Sequence, residues 1–79
     1  MNAAVANEFS FAAFLTKYRR DCPIGDLAGD FRDDSRAPHD GTDTEVLTYL
    51  RGRATHSVQD TVESAWKAYQ RARRKAAPR

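Results

Sequence analysis

Two successive segments of this chain repeat one apolar spacing. Phe11, Phe14, Leu15 and Tyr18 fall at i, i+3, i+4 and i+7, and Ile24, Leu27, Ala28 and Phe31 do the same. That spacing lines four apolar side chains along one stripe of an α-helix and is incompatible with the two-residue period of a strand. Val46, Leu47, Tyr49 and Leu50 mark a shorter third helix, and Val58, Val62, Ala65, Trp66 and Tyr69 mark a fourth. No segment alternates as a strand does. The expected fold is all-α, a compact four- to five-helix bundle with short loops. Its expected core is Phe11, Phe14, Leu15, Tyr18, Ile24, Leu27, Phe31, Leu47, Leu50, Val62, Trp66 and Tyr69.

Polar residues and prolines set the boundaries. The first helix is expected from about Ser10 to Arg20, with Ser10 capping its amides and Phe9 stapled onto Phe14. Pro23 suits the first position of a second helix, which Asp33 and Asp34 end by standing at its negative pole. Gly25 and Gly29 read as a site of close backbone packing, and Gly29 costs that helix about 1 kcal/mol relative to Ala. The stretch from Ser35 to Gly41 reads as a loop. Thr42 and Glu45 form a capping box for the third helix, with Gly52 as its expected stop. The fourth helix is expected from Ser57 to about Lys75. A further helix near residues 2–8 or 34–40 is left open. The chain divides into an N-terminal extension (1–9), a helical domain (10–70) and a basic helix end and tail (71–79).

With 79 residues, a domain buries only about 60% of the surface its unfolded chain exposes, which leaves no room for a large substrate cavity. Multidomain enzymes are excluded. Cys22 is the single cysteine, so no intrachain disulfide forms, and no apolar run reaches the ~18 residues of a membrane span. Residues 1–8 lack the basic start and apolar stretch of a secretory signal. The expected location is cytoplasmic. Asp33, Asp34, His39, Asp40, Asp43 and Glu45 crowd one stretch, but a calcium-loop register anchored on Gly41 puts Arg36 where the first acidic ligand belongs. Cys22, His39 and His56 lack zinc spacing. With no phosphate-cradling glycine loop and no nucleophile–base pair either, the chain reads as non-enzymatic, without metal or cofactor.

Tyr18-Arg19, then Cys22-Pro23-Ile24-Gly25-Asp26-Leu27-Ala28, Asp30-Phe31, Pro38, Tyr49-Leu50 and Ala65-Trp66-Lys67-Ala68-Tyr69 occur in that order. This ordered set resembles the YozE family of small proteins, across about Phe11 to Tyr69. The resemblance implies a fold similar to the sterile alpha motif and an interaction module for which nucleic-acid binding is suggested, with no catalytic residues to transfer. Two positions depart from the family pattern. Cys22 replaces the usual Asp before the proline, so the second helix is capped weakly or by Asp21. Ala37 replaces a common aromatic before Pro38, which removes a packing anchor.

The net charge of +2 conceals a polarised chain: residues 21–45 carry −6 and residues 46–79 carry +6. On a helical wheel started at Val58, Lys67, Arg71, Arg74 and Lys75 fall between about 160° and 260°, opposite the apolar stripe. Lys17, Arg19 and Arg20 add cations from the first helix. The leading functional expectation is sequence-nonspecific binding of DNA or another polyanion through Lys67, Arg71, Arg74 and Lys75, assisted by Lys17 and Arg20. The same cations also complement the negative end of their own helix. The alternative is protein association, including self-association, in which Asp26, Asp30, Asp33 and Asp34 meet a basic surface.

Overall fold

The computed structural model describes residues 10–76. Across these residues the chain folds as four α-helices: α1 (Phe11–Lys17), α2 (Pro23–Asp33), α3 (Asp43–Arg53) and α4 (Gln59–Ala76), with a 3-10 turn at His56–Val58 leading into α4. Among the described residues no strand forms. The expected Phe9 staple and any helix at residues 2–8 lie outside the described residues. Residues 34–40 form turns rather than a fifth helix.

Each helix boundary has a physical cause. Ser10 caps α1, its Oγ accepting from the Ala13 N–H at 3.0 Å. The helix stops at Lys17, one turn short of the expected Arg20, because the Arg32 guanidinium of α2 takes over its terminal carbonyls. Arg32 donates to the Tyr18 carbonyl at 2.8 Å and the Leu15 carbonyl at 3.4 Å, and a guanidinium at these acceptors satisfies a helix end that the wheel pattern cannot reveal. In α2 the N-cap is Cys22, without a side-chain cap hydrogen bond, so the weaker of the two expected caps is the one used.

The Thr42 capping box of α3 is complete: Thr42 Oγ1 accepts from the Glu45 N–H at 3.2 Å, and Glu45 Oε1 accepts from the Thr42 N–H at 2.8 Å. Gly52 does not stop this helix. It sits inside α3 with a negative φ, and the end falls at Ala54, where Gln59 Nε2 donates to the carbonyls of Arg51 and Ala54, both at 3.1 Å. The Gln59 side-chain amide, five residues past Ala54, does the work expected of the glycine. The loop between α2 and α3 finds its anchors in Ala37, which is buried, and in His39, whose ring stands edge-on to Phe31 at 4.9 Å.

The core is narrower than the apolar spacing suggests. Phe11, Leu15, Ala28, Val46, Val62 and Ala65 have no exposed surface, and Phe31, Leu47, Leu50 and Tyr69 are buried around them. Val46, absent from the expected core, is among the most deeply buried. Phe14, Tyr18, Ile24, Leu27 and Trp66 pack on the rim, half-buried. Phe11 joins the helices, with its ring 5.1 Å from Trp66 in a T-shaped pair and 5.3 Å from Tyr69. Above it, the Asp43 carboxylate accepts from the Phe11 N–H at 2.9 Å and from the Tyr69 hydroxyl at 2.8 Å, tying α1, α3 and α4 together. Arg51 and Glu63 add a two-point ion pair across α3 and α4, 2.7 and 2.9 Å; at this exposure solvent screens it and its contribution to stability is small.

Only one member of the Gly25–Gly29 pair marks close packing. A Cβ on Gly25 would stand 1.7 Å from the Arg20 carbonyl oxygen, whereas one on Gly29 would meet only the Arg32 guanidinium at 3.5 Å, and one on Gly52 nothing within 4 Å. Gly25→Ala is therefore expected to destabilise the protein by about 3 kcal/mol or prevent folding, while Gly52→Ala stabilises it by about 0.5–1 kcal/mol. Urea midpoints of the two variants check this, and equal shifts would refute the assignment.

Burial and the Asp43 hydrogen bond push the Tyr69 hydroxyl from 10.0 up to about 12. A raised folded-state pKa contributes stability that is complete below pH 10 and is lost as pH rises through about 12. Tyr18 and Tyr49 are also raised and act with the same sign. The prediction is a fall in stability above pH 10 that becomes shallower in Tyr69→Phe; an unchanged slope in that variant would contradict it.

Candidate functional site

The two basic segments, more than 50 positions apart in sequence, meet because α1 lies along α4. The turn that follows α1 carries Arg19 and Arg20 and is pressed against the first turn of α2 by the Arg20–Gly25 contact. The last two turns of α4 have no buried residue beyond Tyr69, so Arg71, Arg73, Arg74 and Lys75 are all exposed. Lys17, Arg19, Arg20 and Arg71 line one shallow cleft of about 460 Å³ with Phe14, Tyr18, Ile24 and Ala68. A neighbouring cleft of about 340 Å³ shares Phe14, Lys17 and Tyr18 and adds Ser10, Tyr69, Ala72 and Arg73. Neither described lining contains a carboxylate.

Of the six cations expected to act together, Lys17, Arg20 and Arg71 converge on one cleft. Lys67, Arg74 and Lys75 are exposed on the outer side of α4 and line neither cleft. Arg71 belongs to both groups, being a member of the outer stripe and a wall of the cleft. Lys67 is partly engaged elsewhere, since its charge helps hold the Glu63 carboxyl down, after the larger contribution from Arg51. Arg19 and Arg73 are cleft residues that the wheel of α4 alone did not select; α1 packing beside Tyr69 and Ala72 brings them in. Phe14 and Tyr18, expected in the core, form the ridge between the clefts.

Local chemistry fixes that ridge. The Phe14 and Tyr18 rings lie 5.5 Å apart, and Phe14 also meets Tyr69 at 5.7 Å. The Tyr18 hydroxyl is 3.6 Å from the Cys22 sulfur. This contact raises the tyrosine's pKa, while the Gly25 amide, followed by the Tyr18 hydroxyl, holds the Cys22 thiol below its usual range.

The acidic residues gather elsewhere. Asp30, Asp33 and Asp34 line a cleft of about 440 Å³ with Leu27, Tyr49, Leu50, Arg53 and Val58, whereas Asp26 lies outside it. Asp34 accepts a hydrogen bond from the Tyr49 hydroxyl and another from the Arg36 N–H at 2.9 Å, and Arg53 stands 3.6 Å away. The Tyr49 bond, above the others, keeps the Asp34 carboxyl below its ordinary range. Three more members of that stretch serve the fold: Asp43 binds Phe11 and Tyr69, Glu45 completes the capping box, and the His39 ring bonds the Phe31 carbonyl at 2.8 Å, whereas Asp40 is exposed.

A family model described as YozE SAM-like fold matches residues 10–71. The chain belongs to the YozE SAM-like family. The match covers all of α1, α2 and α3 and reaches Arg71 in α4, so the bundle and the basic cleft both lie within the family's shared region. No curated protein and no solved structure matches the chain. No helix among the described residues is long and apolar enough to cross a membrane.

Four like charges around one cleft repel, and the repulsion is screened by salt. Arg71→Gln is expected to raise stability by a few tenths of a kcal/mol, a Tm gain of about 1–2 °C at low ionic strength. The gain should vanish at ~0.5 M salt. A Tm that is unchanged or lower at low salt would show that the cations do not feel one another.

Proposed function

We propose that this YozE SAM-like domain is a non-enzymatic nucleic-acid-binding module, with the phosphate backbone held by Lys17, Arg19, Arg20 and Arg71 and continued along α4 by Arg74 and Lys75. The supporting observation is the convergence of the two basic segments around a cleft whose described lining holds no carboxylate. Gathering like charge raises the folding cost and is repaid when a polyanion arrives. Guanidinium groups suit this role because they meet phosphate oxygens in a planar fork. Contacts to phosphate carry no sequence information, so binding through them is sequence-nonspecific.

A second reading rests on the acidic cleft. Asp30 and Asp33 rim an apolar floor of Leu27, Leu50 and Val58, which complements the projecting basic end of α4 in another copy. Association that grows with concentration and disappears with salt, followed by sedimentation, is its signature.

For the leading reading, labelled duplex DNA is titrated at several salt concentrations. Each phosphate contact contributes about 0.9 to the slope of log affinity on log salt. Arg71→Gln should therefore weaken binding uniformly across sequences and lower that slope by about 1, while Asp26→Asn leaves it unchanged. Absence of binding to duplex and to single-stranded DNA alike at ~50 mM salt, or indifference to Arg71→Gln, would overturn the proposal.

A further inference from the structure

Resting on the nucleic-acid reading above, we propose that the preferred ligand is single-stranded, with unpaired bases stacking on the Phe14–Tyr18 ridge while their phosphates engage the cations on either side. The two basic clefts are not separate sites. They share Phe14, Lys17 and Tyr18, so the aromatic pair forms a wall with Arg19, Arg20 and Arg71 on one side and Arg73 on the other. Volumes of about 340 and 460 Å³ fall in the range that accepts small planar ligands.

Half-buried aromatics flanked by cations are the combination that single-strand binding requires. Each unpaired base offers a π-face to a ring, and the adjoining cations follow the backbone. Duplex DNA hides those faces within its own stack and presents only phosphates and groove edges. A purely electrostatic site has no use for half-buried rings between its cations, and Phe14 and Tyr18 keep part of their surface open where Phe11 keeps none. The ridge is also preorganised. Tyr18 is held through its hydroxyl by Cys22 and Phe14 by the Tyr69 ring, so little side-chain freedom is lost on binding.

The test uses the full chain and four labelled probes at ~50 mM salt: a thymidylate 12-mer, a uridylate 12-mer, an abasic deoxyribose-phosphate 12-mer and a 12-base-pair duplex. Base-bearing strands should bind about tenfold or more tightly than the abasic strand and more tightly than the duplex. Preference for the thymidylate strand identifies DNA as the ligand, for the uridylate strand RNA, and equal affinity a site indifferent to the sugar. Phe14→Leu and Tyr18→Leu, each checked for folding by circular dichroism, should erase the advantage over the abasic strand. Arg71→Gln should weaken all four probes alike. The comparison between base-bearing and abasic strands needs only the unaltered protein, so it stands even if a variant fails to fold. Equal binding of abasic and base-bearing strands, or tighter binding of the duplex, overturns the single-strand proposal and leaves the phosphate-binding reading intact. Absence of binding to all four removes both.

Discussion

The Asp43 carboxylate fixes how three of the four helices meet. One oxygen accepts the Phe11 N–H, at the start of α1, and the other accepts the Tyr69 hydroxyl, from α4, while Asp43 itself opens α3. Each partner needs it. The first amides of a helix lack an internal acceptor, and a buried phenol hydroxyl left alone costs about 1–3 kcal/mol. Immediately below, the rings of Phe11, Trp66 and Tyr69 fill the junction. The position of α1 against α4 follows from this single side chain, and with it the approach of Lys17, Arg19 and Arg20 to Arg71. A carboxylate from the acidic segment thus assembles the basic site without facing it.

Helix identities were legible because apolar spacing and capping chemistry are local. The stripes at Phe11–Tyr18 and Ile24–Phe31, the Thr42–Glu45 box and Pro23 at the head of α2 each stand within a few residues of what they determine. The structure departs from those local patterns where a side chain or backbone group outside the helix meets it. Arg32 ends α1 early, and Gln59 ends α3 in place of Gly52. The wheel cannot tell which half of a stripe faces the bundle, so Phe14 and Tyr18 were assigned to the core and Val46 was left out of it. Gly25 and Gly29 look alike as a motif, yet only Gly25 has a backbone oxygen where its side chain would be.

The site was half readable for the same reason. An α4 wheel finds Arg71, Arg74, Lys75 and Lys67 as a stripe, but it carries no information about which side of the stripe has a neighbour. Packing beside α1 promotes Arg71, enlists Arg19 and Arg73, and leaves Lys67 near Glu63. The polarity of the chain, −6 followed by +6, likewise turns into two clefts that share no residue. Much of the acidic segment is consumed by caps and interhelical bonds, which is why its negative charge is less concentrated in space than in sequence.

The contact between Gly25 and the Arg20 carbonyl also has a geometric meaning. Backbone rests on backbone there, so the arginine-bearing segment packs on α2 with no side chain between them. Eight residues further along the same helix, about 12 Å away, stands Asp33, a wall of the acidic cleft. One helix therefore carries the support of the arginine-bearing segment near its start and a wall of the acidic cleft at its end, and a missing methyl group is what lets that segment sit so close.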